Sequence, residues 1–269
     1  MALTGVYSYL SSPSRIIKYI KDSGATGLTA GRAYTQFDIG GTPVNGTLAI
    51  GNITTGIVPV AGATWDSGNG YPPIPPLLGS TAKITEIRYS NSVVSRLILV
   101  DTLFSMGAFS FNSNVTGIVS PSWASRAPTV DDYNDLEIWF EAVTAFTGIP
   151  TIAIDVKDRD GAAVSGGAGV SIGYAPAIRN MVQLPNPSSK GISAVTKVTC
   201  TVATAGTFNI HIMRRLWQGQ VKLASSDYVH NYMQLGLPTI YPTSALRVIL
   251  VPAGTTAGIP DVEIEVPYA

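Results

Sequence analysis

The chain is poor in side chains that do chemistry. It has two histidines, His211 and His230, nineteen positions apart, and a single cysteine, Cys200. Metal centres need His, Cys and carboxylates at close, repeated spacing, and no such pairing can be built from these. A lone thiol forms neither an intrachain disulfide nor a thiolate cluster. Its alternating position reads as a small buried hydrophobe. His211 falls on the second face of a strand, which reads as a solvated or interface position. No G-x-S-x-G elbow is present, and Ser165-Gly166-Gly167-Ala168-Gly169 lacks the lysine and helix pattern of a phosphate loop. Asp155-Val-Lys-Asp158-Arg-Asp160-Gly161 lacks the spacing and the closing Glu of a calcium loop, and Lys157 and Arg159 offset its carboxylates. It reads as a hairpin with Asp160-Gly161 at the tip. The acidic group Asp131, Asp132, Asp135, Glu137 and Glu141 could supply a carboxylate pair for glycoside hydrolysis, with Glu137 and Glu141 the pair to test. Asp131-Asp132 before a strand reads more simply as a turn. The expectation is a non-enzymatic chain with no cofactor and no metal.

The elements that would position these residues are strands. Leu136, Ile138, Phe140 and Ala142 alternate with Glu137, Trp139 and Glu141. The same period of two runs through Ile152–Val156, Val198–Val202, Phe208–Ile212 and Val262–Val266. Ala245–Pro252 is apolar on both faces and reads as a central strand. Lys83–Tyr89 and Val94–Phe104, separated by Ser90-Asn91-Ser92, read as a hairpin. One-sided alternation with turns between predicts antiparallel sheets packed face to face, a β-sandwich with a jelly-roll-like strand count. Ahead of it, Ser12 and Pro13 as start signals, Gly24 as a stop, and Ile16, Ile17 and Ile20 as one face predict a short N-terminal helix. Pro72-Pro-Ile-Pro-Pro76 reads as a stiff connector. The division expected is 1–80, helix plus a loop-rich contact arm, and 81–269, the sandwich.

Charge is scarce. Asp, Glu, Lys and Arg make up 13% of 269 residues, against roughly 25% in ordinary domains. Seventeen acidic residues balance seventeen basic ones, and the mean hydropathy is +0.25. Neutral, apolar surfaces associate, so this composition suits a chain that works against other protein. No basic run exists to hold phosphates, which argues against nucleic acid. The segment Asp38–Ser80 is nearly uncharged but broken by Gly and Pro, so it cannot be a membrane helix. Met1–Tyr7 lacks the basic start and apolar core of a signal peptide, and synthesis in the cytoplasm is expected.

Interface chemistry is enriched in aromatics, Met and Arg. The candidates are Ile16, Ile20, Tyr34, Trp65, Tyr71, Trp123, Arg214, Arg215 and Trp217. Trp123, Trp139 and Tyr71 are also possible stacking platforms for sugars.

Gly31-Arg-Ala-Tyr34, Phe37 and Gly40-Gly41, then Leu97-Ile-Leu-Val-Asp101-Thr-Leu-Phe104-Ser-Met-Gly107, resemble segments of tailed-bacteriophage virion proteins, as do Thr204–Leu216 and Leu235-Gly-Leu-Pro238. Phe104 stands where Trp is expected, and the loop Ser113–Asn134 is longer. The resemblance covers most of the chain and implies a structural component without enzymatic activity. It implies a decoration or cement protein on the capsid surface of the virion, bridging subunits of the major capsid protein, with a homo-oligomer, a trimer above all. The alternative is a tail, neck or head-fibre protein whose sandwich binds carbohydrate or a receptor.

Overall fold

The computed structural model describes residues 12–64, 69–77, 79–129, 131–201 and 205–267. Its strands, numbered along the chain, begin with β1 (Ser14–Lys21), β2 (Ala33–Thr35), β3 (Gly41–Thr42), β4 (Asn52–Ile57), β5 (Ala82–Lys83) and β6 (Glu86–Asn91). Next come β7 (Ser95–Ser110), β8 (Asn114–Thr116), β9 (Leu136–Thr144), β10 (Thr151–Lys157), β11 (Ala163–Val164) and β12 (Val170–Ser171). The last are β13 (Asn180–Leu184), β14 (Ala194–Thr201), β15 (Thr207–Val221), β16 (Tyr228–Asn231), β17 (Thr239–Ile240), β18 (Leu246–Pro252) and β19 (Pro260–Pro267). A single helical turn, α1 (Tyr232–Leu235), follows β16. The fold is mainly β, and its strand ladders are antiparallel. Among the described residues no helix is long and apolar enough to cross a membrane.

The expected N-terminal helix is a strand. Ile17, Tyr19 and Lys21 are buried at alternate positions of β1, whereas Ile16 faces outward. In so short a run, three isoleucines fit a period of 3.6 as well as a period of two. The decision comes from β19, which pairs β1 from Ser14↔Pro267 to Ile20↔Asp261 and places Lys18 3.0 Å from Glu263. A short helix has no comparable partner to offset its nucleation cost.

The chain forms two compact units that interleave in sequence, so they do not follow a division at residue 80. The first holds the chain up to Thr47, Val60–Asp101 and Leu216 onward; the second holds Leu48–Pro59 and Thr102–Arg215. In the first unit, a five-stranded sheet ordered β16-β6-β19-β1-β3 supplies Ile17, Tyr19, Ile87, Tyr89, Val262 and Ile264 to the core. Opposite them lie Tyr34, Leu97, Leu99, Leu246, Val248 and Leu250 from β2, β7 and β18. As expected, β18 is central, paired with β2 on one side and β7 on the other. The expected hairpin around Ser90-Asn91-Ser92 does not form. β19 and β16 occupy the two edges of β6, so β7 joins another sheet. Asp101 accepts hydrogen bonds from Ser244 Oγ (2.8 Å) and Ala245 N (2.9 Å), fixing the turn that starts β18.

The second unit packs β10 and β14 against β9 and β15. Ile152, Ile154, Val156, Val195, Val198 and Cys200 meet Ile138, Phe140, Ala142, Phe208, Ile210 and Ile212. This is the alternation read from sequence, and Cys200 is buried in it as expected. The Asp160-Gly161 hairpin is also present. Asp158 Oδ1 accepts from Asp160 N and Ala162 N, and Val156 pairs Val164 across β10 and β11.

Candidate interaction surface

The two longest stretches of the sequence without Asp, Glu, Lys, Arg or His are Ile39–Trp65 and Thr102–Ser125. The second unit joins Leu48–Pro59 of the first stretch to the second. β4 pairs β7 at Asn52↔Gly107 and Ile57↔Ser105, with a register shift between. On its other side Thr55 bridges Val119; Gly56 N donates to Val119 O (3.0 Å) and Val119 N to Thr54 O (2.9 Å). Ile53, Thr55 and Ile57 occupy alternate positions of one strand. Ile53 is 38%, Ile57 44% and Val119 61% exposed. The result is an outward face of three aliphatic side chains among threonines and asparagines. None of these three side chains carries a charge that a partner would have to desolvate.

The strap Leu48–Pro59 is held from beneath by buried polar groups that sequence reading missed. Glu141 Oε2 accepts from Asn209 Nδ2 (2.9 Å) and from His211 Nε2 (3.0 Å). The other ring nitrogen of His211, Nδ1, lies 2.7 Å from the Ser105 hydroxyl. Asn209 Nδ2 also donates to Leu48 O at 2.6 Å. At the other end Arg126, itself fully buried, donates from Nη2 to Pro59 O (2.8 Å) and Thr102 O (3.1 Å). Between these anchors Gly56 lies on the Phe104 ring, where a Cβ would overlap ring atoms.

Ser105, His211 and Glu141 resemble a nucleophile, base and carboxylate in composition. Each is at most 2% exposed. Their hydrogen bonds tie β7, β9 and β15 together. His211, expected at a solvated or interface position, is buried, because the second face of β15, with Asn209 and Met213, is covered as well as the first. The carboxylate pair also fails. Glu137 and Glu141 stand four residues apart on one strand, about 13 Å, too far for one sugar bond. Glu137 is engaged instead by Trp139 Nε1 (2.8 Å) and Arg215 Nη2 (2.8 Å).

The sequence candidates do not gather into one surface. Ile16 is 43% exposed but borders Glu86, Arg88, Glu263 and Glu265, and Ile20 is half-buried in β1. Tyr34 is fully buried, its hydroxyl accepting from Thr29 N at 2.8 Å. Tyr71 is buried against Phe37, and Trp123 against Phe104. Trp217 is buried beside Tyr89, and Arg214 lies buried 3.8 Å from Asp132. Arg215 is half-buried on Glu137 and Gln183. Trp65 lies outside the described residues. Trp123, Trp139 and Tyr71 are all buried, so none is a sugar-stacking platform.

No protein-family model and no curated protein matches this chain. Solved structures match weakly. The infectious bursal disease virus VP2 subviral particle aligns at 9% identity and a TM-score of 0.20, over 96% of this chain and 80% of that one. The infectious bursal disease virus Gx strain gives 10% identity and 0.19 over the same shares. Likeness at that level transfers neither fold nor function.

Grooves line the described residues of the second unit. One is apolar, about 80 Å³, lined by Ile152, Ile154, Val170, Leu184, Pro185 and Pro187. Another is polar, about 160 Å³, on the outer face of β10 and β14. Thr151, Asp155, Ser165, Lys197, Thr199 and Thr201 line it.

Proposed function

We propose that this chain is a non-enzymatic structural protein of a virion, a decoration or cement component that stabilises a capsid by bridging subunits of the major capsid protein. The observation that carries the reading is the uncharged face of Ile53, Ile57 and Val119, built from the two charge-free stretches and held by buried polar anchors. Apolar surface gains about 25 cal/mol per Å² when buried, so a modest footprint suffices when repeated over a shell. The sequence resemblance to phage virion proteins supports the same reading, and a homo-oligomer, a trimer above all, belongs to it. The direct test adds the purified protein to particles stripped of it. Wild type should bind and restore heat resistance. Ile57→Asp and Val119→Asp should keep their melting temperature and lose binding by more than tenfold. Full binding by both variants would remove this face from the function.

A second reading, a tail, neck or head-fibre protein that binds carbohydrate, now rests on the polar groove of Asp155 and Lys197 rather than on aromatics. An oligosaccharide array should show binding that Lys197→Ala removes; silence across the array would end it.

A further inference from the structure

In the first unit, β16 is an edge strand whose sheet partner is β6, with Tyr228↔Tyr89 and His230↔Ile87 in register. His230 sits between two aromatic side chains from other strands. Trp217 Nε1 of β15 is 2.8 Å from His230 Nδ1, and the Tyr89 hydroxyl is 3.2 Å from Nε2. An indole N–H only donates, so Nδ1 must carry a lone pair. The proton of the neutral ring is then on Nε2, donated to the Tyr89 oxygen. Both aromatic rings meet the imidazole edge-on, at 5.2 Å for Tyr89 and 5.7 Å for Trp217.

From this geometry we infer that His230 is a proton-operated latch that holds the edge strand β16 and the α1 turn to their sheet. A second ring proton must enter at Nδ1. It sets an imidazolium N–H against the indole N–H at hydrogen-bond distance, turning an attraction into a repulsion.

The ring is half-buried, and among the described residues no carboxylate contacts it. From β6 the facing titratable group is Tyr89, neutral in acid. From β16 itself it is Tyr228, stacked on Tyr89 at 5.4 Å, its hydroxyl accepting from Lys222 N and Leu223 N. Glu86 and Arg88 alternate with Tyr89 on β6 and are bound to each other at 2.6 Å. β15 contributes the uncharged Trp217. Burial accordingly lowers the imidazole below its ordinary 6.5.

α1 follows without a break. Asn231 Oδ1 accepts from Met233 N and Gln234 Oε1 from Asn231 N, so strand end and turn form one piece. That piece already exposes Val229 (49%) and Met233 (77%). Its release uncovers Trp217 and Tyr89 beside them.

The test uses the intact chain with ¹⁵N-histidine, His230→Asn identifying the signal. At pH 7.5 the His230 ring should be the Nε2–H tautomer, titrating with a midpoint below 6.5. Amide exchange at residues 228–235, corrected for its intrinsic pH dependence, should quicken about tenfold below that midpoint, the scale of one lost hydrogen bond. His230→Asn, whose Oδ1 replaces the acceptor and does not titrate, should keep β16 protected in acid. Trp217→Phe should move the midpoint back toward 6.5 whether or not the asparagine variant folds. An Nδ1–H tautomer, pH-independent exchange of β16, or an unmoved midpoint in Trp217→Phe would each overturn the latch.

Discussion

Single side chains in this protein show how burial governs reactivity. The Cys200 thiol lies in an apolar core, and burial pushes it up to about 12. It should resist aromatic disulfide reagents at pH 8 and react at the rate of unfolding; rapid labelling of folded protein would contradict that. Lys21 is the opposite case, a buried cation. Its Nζ donates to Ile39 O (2.8 Å) and Pro43 O (3.2 Å), while burial and the nearby Arg247 bring its pKa down from 10.5 to about 8. Between those values the unfolded chain binds a proton that the folded one has released. Stability should therefore rise from pH 8 to pH 10.5 through this group, and Lys21→Met should flatten that rise in denaturant titrations. For His230 the folded pKa is again the lower one. Its contribution is complete above 6.5 and fades as pH falls through the folded value. Neither behaviour was legible in the sequence. A lysine at the end of a strand and a histidine in a polar segment take their character from residues distant in the chain.

At the level of elements, legibility followed the strength of the alternation. β9, β10, β14 and β19 bury the described residues their period assigns; Val202 lies outside the described residues. β1 and the β6–β7 hairpin were misread because their local patterns fit two structures, and the choice fell to strands such as β19, remote in sequence. The strap Leu48–Pro59 was legible only as an uncharged loop-rich stretch. Nothing in its own residues reveals that Asn209 and Arg126 hold it. Its closest fit is at Gly56, on the Phe104 ring, which Trp123 backs at 5.4 Å. Gly56→Ala should push β4 off that ring and cost about 1–3 kcal/mol in denaturant unfolding. An unchanged midpoint would mean that the strap lies elsewhere.

For the molecule as a whole, the scarcity of charge has a physical consequence before any partner is considered. The net charge is zero at pH 7 and the isoelectric point about 6.7. Self-repulsion is weakest there, so light scattering of concentrated protein should peak near that pH. Val119→Asp and Ile57→Asp should lower the peak, whereas Asp placed at a residue distant from the strap should lower it less. The two-unit organisation was hidden from a sequential reading for a simple reason. β7 and β15 each run from one unit into the other, and the boundary falls inside strands rather than in a linker.

The strap's anchors also bear on how its outer face can change over time. Asn209 is fully buried, yet its amide fixes Leu48 at the start of the segment that displays Ile53 and Ile57. A substitution at Asn209 would re-aim those side chains while altering no outward atom. A ligand or antibody selected against this face can thus be escaped from the interior, and a survey of surface positions alone would miss the route.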